Sequence, residues 1–265
     1  MSGAASVRWS DLRARALSAV VMLTLGAVEI WLGGWPFAVL VLIVTGLMVW
    51  ELARMTDAEG ALPAVGLGVL AGLALLAVHL MSGVWGLALL LLPAGMGAAW
   101  PRRDRAVFAA YALLIMATGY GLITLRDSFG ITIILWLVLV VVISDVMGYF
   151  AGRILGGPKF WPKVSPKKTW SGTVAGWIGA ALVGLAFVVA GQGEAGLIWL
   201  SPLVAFAGQL GDIAESAIKR RAGVKDSSNL IPGHGGVLDR FDALAAAVVL
   251  VVILAHVTVL PFGGL

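Results

Sequence analysis

Residues 211–242, GDIAESAIKRRAGVKDSSNLIPGHGGVLDRFD, form a polar island in a chain that otherwise reads as hydrocarbon. Ionisable groups are expensive inside a bilayer and persist there where they do something, so this stretch decides both how the chain folds and where its chemistry lies. Its first part reads as a helix, because Asp212, Glu215, Ser216 and Lys219 fall at i, i+3, i+4 and i+7 and share one face. Arg220 and Arg221 follow at a position where a helix C-terminus favours cations, and Gly223 is the predicted stop. A loop over 225–238 then holds Lys225, Asp226, Pro232, Gly233, His234, Gly235 and Gly236. Glycines on both sides of His234 let the backbone turn tightly and bring bare amides close to a ligand. Asp239 and Asp242 open the last apolar run on one face, where a helix N-terminus favours negative charge.

Around this island, 60% of residues are hydrophobic and only 12% charged, about half the charged fraction of a soluble domain, and the mean hydropathy is +1.01. The expected fold is an all-α polytopic integral membrane protein. A spanning helix needs about 20 apolar residues, and nine runs qualify: 17–33, 36–50, 63–81, 84–100, 106–125, 131–150, 173–190, 197–213 and 243–260. Arg8, Arg13 and Arg15 precede the first run like a signal n-region, but the run is long and others follow, so it reads as an uncleaved anchor. With the N-terminus cytoplasmic and the C-terminus opposite, all eighteen Lys and Arg except Arg126 face the cytoplasm, the bias that orients membrane proteins. The expected organisation is a cytoplasmic segment 1–16, about five helices over 17–125, and a catalytic membrane domain over 126–265. That domain carries about four helices and cytoplasmic loops 151–172 and 214–242. A minimal chain of this kind fits a bacterial cytoplasmic membrane. The absence of cysteine excludes disulfides, thiolate metal sites and a thiol nucleophile.

The first four spans are chemically plain. Glu29 reads as a carboxylate near the outer interface, His79 and the tryptophans near span ends as interfacial residues, and His256 as a helix-packing residue. Chemistry begins in the sixth span, where Ser144 and Asp145 lie about a turn from the cytoplasmic end. There Asp145 must be hydrated, ion-paired or in contact with substrate. The loop GGPKFWPKVSPKKTWS, residues 156–171, ends in Lys167, Lys168 and Thr169 at the entrance of a span, a ready place for phosphate. The eighth span is short and runs into the polar face of Asp212 and Glu215, which lipid could not host, so its helix should project from the bilayer or line a wet cavity.

Carboxylates spaced to share a cation, beside several Lys and Arg and a glycine-rich turn, suit joint binding of Mg²⁺ and phosphate. The same segment resembles the signature of CDP-diacylglycerol synthases (phosphatidate cytidylyltransferases). Ser216, Lys219, Arg220, Lys225, Asp226, Pro232, His234, Gly235, Gly236, Asp239, Arg240 and Asp242 fill that pattern. An Asp followed by an aromatic residue and Gly-Arg also recurs in the family where Asp145 stands. The 165–169 motif looks like the family's second one, except that Ser171 stands where Glu is expected. The resemblance implies a Mg-dependent nucleotidyltransferase of phospholipid biosynthesis, possessing CTP and phosphatidate as substrates, no nucleic-acid partner, and a homodimeric state. Catalytic roles then fall to Asp212, Asp239, Lys219 and His234. Asp212 and Asp239 are expected as metal ligands, with Glu215 and Asp242 as further ligands and room for a second cation. Substrate contacts are expected from Asp145, Lys167, Lys168, Thr169, Ser216, Arg220, Lys225, Asp226, Gly235, Gly236 and Arg240. The rival reading is an ion-coupled transporter using Asp145, Asp212 and Glu215, against which stand the crowding of polar residues at one face and the lack of a repeat.

Overall fold

In a computed structural model, residues 3–56, 62–81 and 83–262 are described. Residues 1–2 and 263–265 of the expected terminal segments, and the side chains of Arg8 and Arg13, lie outside that description. Hydrocarbon cannot satisfy backbone N–H and C=O groups, so the apolar runs form helices that satisfy their own. They are α1 (Gly3–Leu32), α2 (Gly34–Thr56), α3 (Leu62–Leu80), a 3-10 segment (Val84–Leu91) continued by α4 (Leu92–Ala99), α5 (Arg105–Ile154), α6 (Trp170–Val189), α7 (Gly196–Ala222) and α8 (Leu238–Val257). Seven of these are long and apolar enough to cross a membrane, and the stretch Val84–Ala99 is a shorter apolar helix.

Three local features differ from the sequence expectation. The segment 1–16 is no separate unit from Gly3 on, because α1 begins there and runs on without a break. The loop 151–172 contains a small antiparallel hairpin, β1 (Lys159–Trp161) and β2 (Ser165–Thr169), so the chain is not purely helical. Of the loop 214–242, residues as far as Ala222 continue α7. Only 223–237 is irregular, because Gly223 takes a left-handed conformation (φ 75°) that ends the helix as expected.

The 50-residue α5 is the axis of the fold, touching α2, α3, α4, α6, α7 and α8. It is broken at Gly130, whose backbone (φ 72°, ψ −159°) is closed to other residues without strain, between the two runs read as separate spans. Trp136, Phe108, Ile115, Met116 and Leu137 of α5 are fully buried with Met48 and Leu52 of α2 and Val248 of α8. The indole of Trp136 donates to Ser201 Oγ at 2.9 Å, so its polar edge is satisfied inside the core. Two close approaches then place the site. Gly208 and Gly211 of α7 face the Ala243 and Asp242 carbonyls of α8 so closely that a Cβ at Gly211 would press into the latter.

Candidate active site

That approach of α7 to α8 converts sequence spacing into a cluster. Ligand oxygens of Asp212, Glu215 and Asp242 all lie within 4.8 Å of one another. Glu215 is fully buried; its Oε1 has no hydrogen-bond partner, and Oε2 has only an ion pair with the Lys219 ammonium. The Tyr111 hydroxyl of α5 is also buried without a hydrogen bond, within electrostatic reach of Glu215 and Asp242. A buried carboxylate oxygen lacking a donor is costly, and three acids at this range repel. A hard divalent cation relieves both, taking carboxylate oxygens as ligands. The donor set therefore fits Mg²⁺.

Asp239 lies outside this trio and is held by Lys219 and the glycine-rich loop. Its Oδ1 accepts from Lys219 at 2.6 Å, and its Oδ2 accepts from Ser227 N (2.9 Å), Ser227 Oγ (2.9 Å) and Gly236 N (2.7 Å). Lys219 thus bridges the ion-binding face at Glu215 to the glycine-rich loop at Asp239. A residue of α2 completes this arrangement. Glu51, fully buried, accepts from Ser228 Oγ, Val237 N and Leu238 N and shares the Ser227 hydroxyl proton with Asp239. Nothing in the motif points to it, although a carboxylate directly following an apolar run is the sort of signal that marks a polar role.

Beside the trio lies a cavity of about 370 Å³ whose lining includes Asp145, Arg153, Lys167, Lys168, Thr169 and Asp212. Lys168 joins the cavity to the cluster, its ammonium lying 2.5 Å from Asp212 Oδ2 and 3.3 Å from the Gln209 carbonyl. Thr169 caps α6 by accepting from Gly172 N at 3.2 Å, which fixes the end of β2 and hence the lysines before it. Ser171 donates to the Gly156 carbonyl and shares a 3.0 Å hydrogen bond with Thr169, so it braces the hairpin. Gln209, another residue outside the motif reading, donates to Ser144 Oγ and the Thr173 carbonyl and accepts from the Trp177 indole, tying α5, α6 and α7 together under the cavity.

The remaining motif residues form the rim. His234 Nδ1 lies 2.8 Å from Ser18 Oγ of α1, and that hydroxyl is also 3.0 Å from the Pro232 carbonyl. Arg240 donates twice to the His234 carbonyl, at 3.0 and 2.6 Å. Ser216 donates weakly to Asp212 at 3.4 Å. A side chain at Gly235 would meet Asp239 Oδ2, and one at Gly236 would fall against Ser227 and within 2.5 Å of Glu51 Oε1. Arg220, Lys225 and Asp226 are exposed and line neither the cluster nor the cavity. His79, read as interfacial, stacks edge-on against Trp35, and His256, read as a helix-packing residue, bonds the Val252 carbonyl within its own helix.

The sequence has relatives of known name over most of its length. It is 36% identical over 255 residues to the phosphatidate cytidylyltransferase of Brucella abortus biovar 1 (strain 9-941), covering 91% of this chain and 92% of that one. Against the Haemophilus influenzae phosphatidate cytidylyltransferase it is 39% identical over 180 residues, 62% of each chain. Against that of Bacillus subtilis it is 42% identical over 120 residues, 44% of this chain and 45% of the other. The sequence profile of the Cytidylyltransferase family matches residues 13–258, a span that takes in the acidic cluster, the lysine-lined cavity and the glycine-rich loop alike, and the chain belongs to that family.

Proposed function

We propose that this chain is a phosphatidate cytidylyltransferase, joining CTP and phosphatidate into CDP-diacylglycerol with release of pyrophosphate. The observation that carries the reading is the buried Glu215 carboxylate, its Oε1 without a partner, inside a trio of acids that opens, through the Lys168–Asp212 pair, onto a lysine-lined cavity. In line with this, relatives that match the chain over most of its length bear that name.

The reaction brings two polyanions together, and charge management is its main demand. A phosphomonoester oxygen is already largely ionised at neutral pH, so the lipid phosphate needs no strong base to attack the α-phosphorus of CTP. Lys167, Lys168 and Arg153 gather phosphate oxygens in the cavity, and Thr169 holds the lysines in register. Asp212, Glu215 and Asp242 would hold Mg²⁺, which would supply neutralisation of phosphate charge when bound. Lys219 balances Glu215 and Asp239, which keeps the loop 223–237 closed against the cluster. Asp145 faces the substrates from the cavity lining, and His234 and Arg240 brace the glycine-rich loop through Ser18 and the His234 carbonyl.

The chain crosses the membrane nine times in this reading. Val84–Ala99 makes one crossing and the two limbs of α5, parted at Gly130, make two. The contacts of α1 agree with one polar end. Its early residue Ser18 meets the Pro232–His234 loop, whereas its late residue Ile30 accepts from Arg126, the lone basic residue of the opposite face. The site then faces the cytoplasm of a bacterial cell, in a homodimer. Purified protein incubated with labelled CTP, phosphatidate and Mg²⁺ should form lipid-linked cytidylate. Ion flux in liposomes without nucleotide turnover would contradict the assignment.

A further inference from the structure

Glu51 is the one carboxylate of α2, and its position is costly unless all of its lone pairs are used. Three are filled outright and the fourth shares a proton. Oε1 accepts from Ser228 Oγ (2.6 Å) and Val237 N (2.9 Å), and Oε2 accepts from Leu238 N (2.6 Å) and shares the single Ser227 hydroxyl proton (3.2 Å) with Asp239 Oδ2 (2.9 Å). The four donors are neutral and come from the two ends of one unit: the start of the irregular segment and the first turn of α8. Val237 and Leu238 are otherwise orphan donors, since the first amides of a helix have no partner within it. The negative charge also meets the positive end of the α8 dipole.

We infer that Glu51 is the positioning residue of the active site, the clamp that fixes the first turn of α8, and with it Asp239 and Asp242, against α7. This deepens the cytidylyltransferase reading and rests on it. The geometry gives the clamp its reach. Ser227 gives its amide to Asp239 Oδ2 and sets its hydroxyl between Glu51 Oε2 and Asp239 Oδ2, which share its one proton, and Asp239 in turn holds Lys219. Leu238 precedes Asp239 directly, and Asp242 lies one turn further along the same helix. The α2 helix carries no other residue that bonds the loop among the described hydrogen bonds, so from α2 a single carboxylate reaches the loop and the start of α8, while Ser18 of α1 meets only the loop's far part at Pro232 and His234. Gly236 shows how tight the clamp is, because a Cβ there would collide with Ser227 and Glu51 together.

Glu51→Gln separates a clamp from mere filling of space. The shape is kept, but whichever way the amide is turned, its NH₂ faces either the Val237 or the Leu238 amide, and a backbone donor cannot reverse as a hydroxyl can. The first turn of α8 must then shift. Displacement of catalytic groups by ~1 Å is expected to lower kcat on the order of 100-fold, and the Mg²⁺ concentration for half-maximal rate should rise about tenfold, as for other residues that orient metal ligands. The KM for CTP should change little, since the lysine-lined cavity is untouched.

The experiment measures kcat, KM and the Mg²⁺ requirement of detergent-purified wild type, Glu51→Gln and Ser228→Ala, with hydrogen exchange of the peptide spanning 227–238 in the same samples. Ser228→Ala removes one neutral donor and should show the same pattern more weakly, which preserves the test if Glu51→Gln does not fold. Faster exchange confined to that peptide, with the raised Mg²⁺ requirement, supports the clamp. Wild-type Mg²⁺ dependence and kcat per folded molecule, or exchange that rises equally throughout α2, would overturn it. If wild type itself makes no lipid-linked cytidylate, the reaction assignment fails, while the exchange comparison still judges the clamp.

Discussion

Replacing Asp242 by Asn should make the protein more stable without metal and less stable with it. Asp242 lies within 4.8 Å of both Asp212 and Glu215. At that separation and an effective dielectric of about 20, a pair of like charges repels by about 3.5 kcal/mol. The ammonium groups of Lys168 and Lys219, ion-paired with Asp212 and Glu215, offset part of this. Neutralising Asp242 in chelator should therefore stabilise the fold on the order of 1 kcal/mol, or about 2–4 °C in Tm. Asn retains the oxygen that accepts from Ala243 N at 2.8 Å, so the start of α8 is undisturbed. With Mg²⁺ at 100 times its Kd, wild type gains about 2.7 kcal/mol from ligand linkage, and the variant forfeits that gain with its turnover. Thermal unfolding of both proteins in detergent, in EDTA and across a Mg²⁺ series, should give melting curves that cross. An identical Mg²⁺ response in the two proteins, with near-normal cytidylyl transfer by the variant, would refute the reasoning.

Further outcomes follow from single contacts. Lys168→Met removes the ammonium that joins Asp212 to the cavity. It should raise KM for at least one phosphate substrate by about tenfold, the scale of one charge-assisted hydrogen bond; steady-state constants unchanged for both would contradict its role. Gly130→Ala forces a side chain onto a backbone with φ 72° and should destabilise by about 1–3 kcal/mol, with kcat unaltered because the break is remote from the acids. A lost kcat at unchanged Tm would contradict that account of Gly130. The chain has no cysteine, so single Arg126→Cys and Lys225→Cys variants report sidedness directly. A membrane-impermeant maleimide should label them from opposite faces, and labelling from one face would overturn the orientation.

The parts of the site legible in the sequence were those set by local periodicity. Asp212, Glu215 and Lys219 share a face because a helix repeats every 3.6 residues, and Gly223 ends that helix because it alone tolerates the left-handed cap. The break at Gly130 was foreshadowed by a polar gap between two apolar runs. What spacing could not supply was contact between distant segments. Glu51 meets its partners across most of the chain, Ser227 being 176 residues away, and its place at the end of an apolar run marks it as polar without naming those partners. Lys168 reaches Asp212 only because the hairpin aims β2 at α7, and an alternation of Pro and Lys reads as plain loop. Tyr111 is one hydroxyl in an apolar run, and its nearness to the acids depends on how α5 packs against α7 and α8. Asp239 illustrates a related difficulty. Its motif position suggests a metal ligand, but spacing alone could not show that Lys219, Ser227 and Gly236 also donate to it.

The most direct measurement is a titration of detergent-purified protein with Mn²⁺, followed by the paramagnetic resonance signal of the free ion, for wild type and for the Asp212→Asn, Asp242→Asn double variant. The account predicts a wild-type site that takes up Mn²⁺ without nucleotide, releases it to excess Mg²⁺, and is missing from the double variant. Equal Mn²⁺ uptake by the two proteins would contradict it.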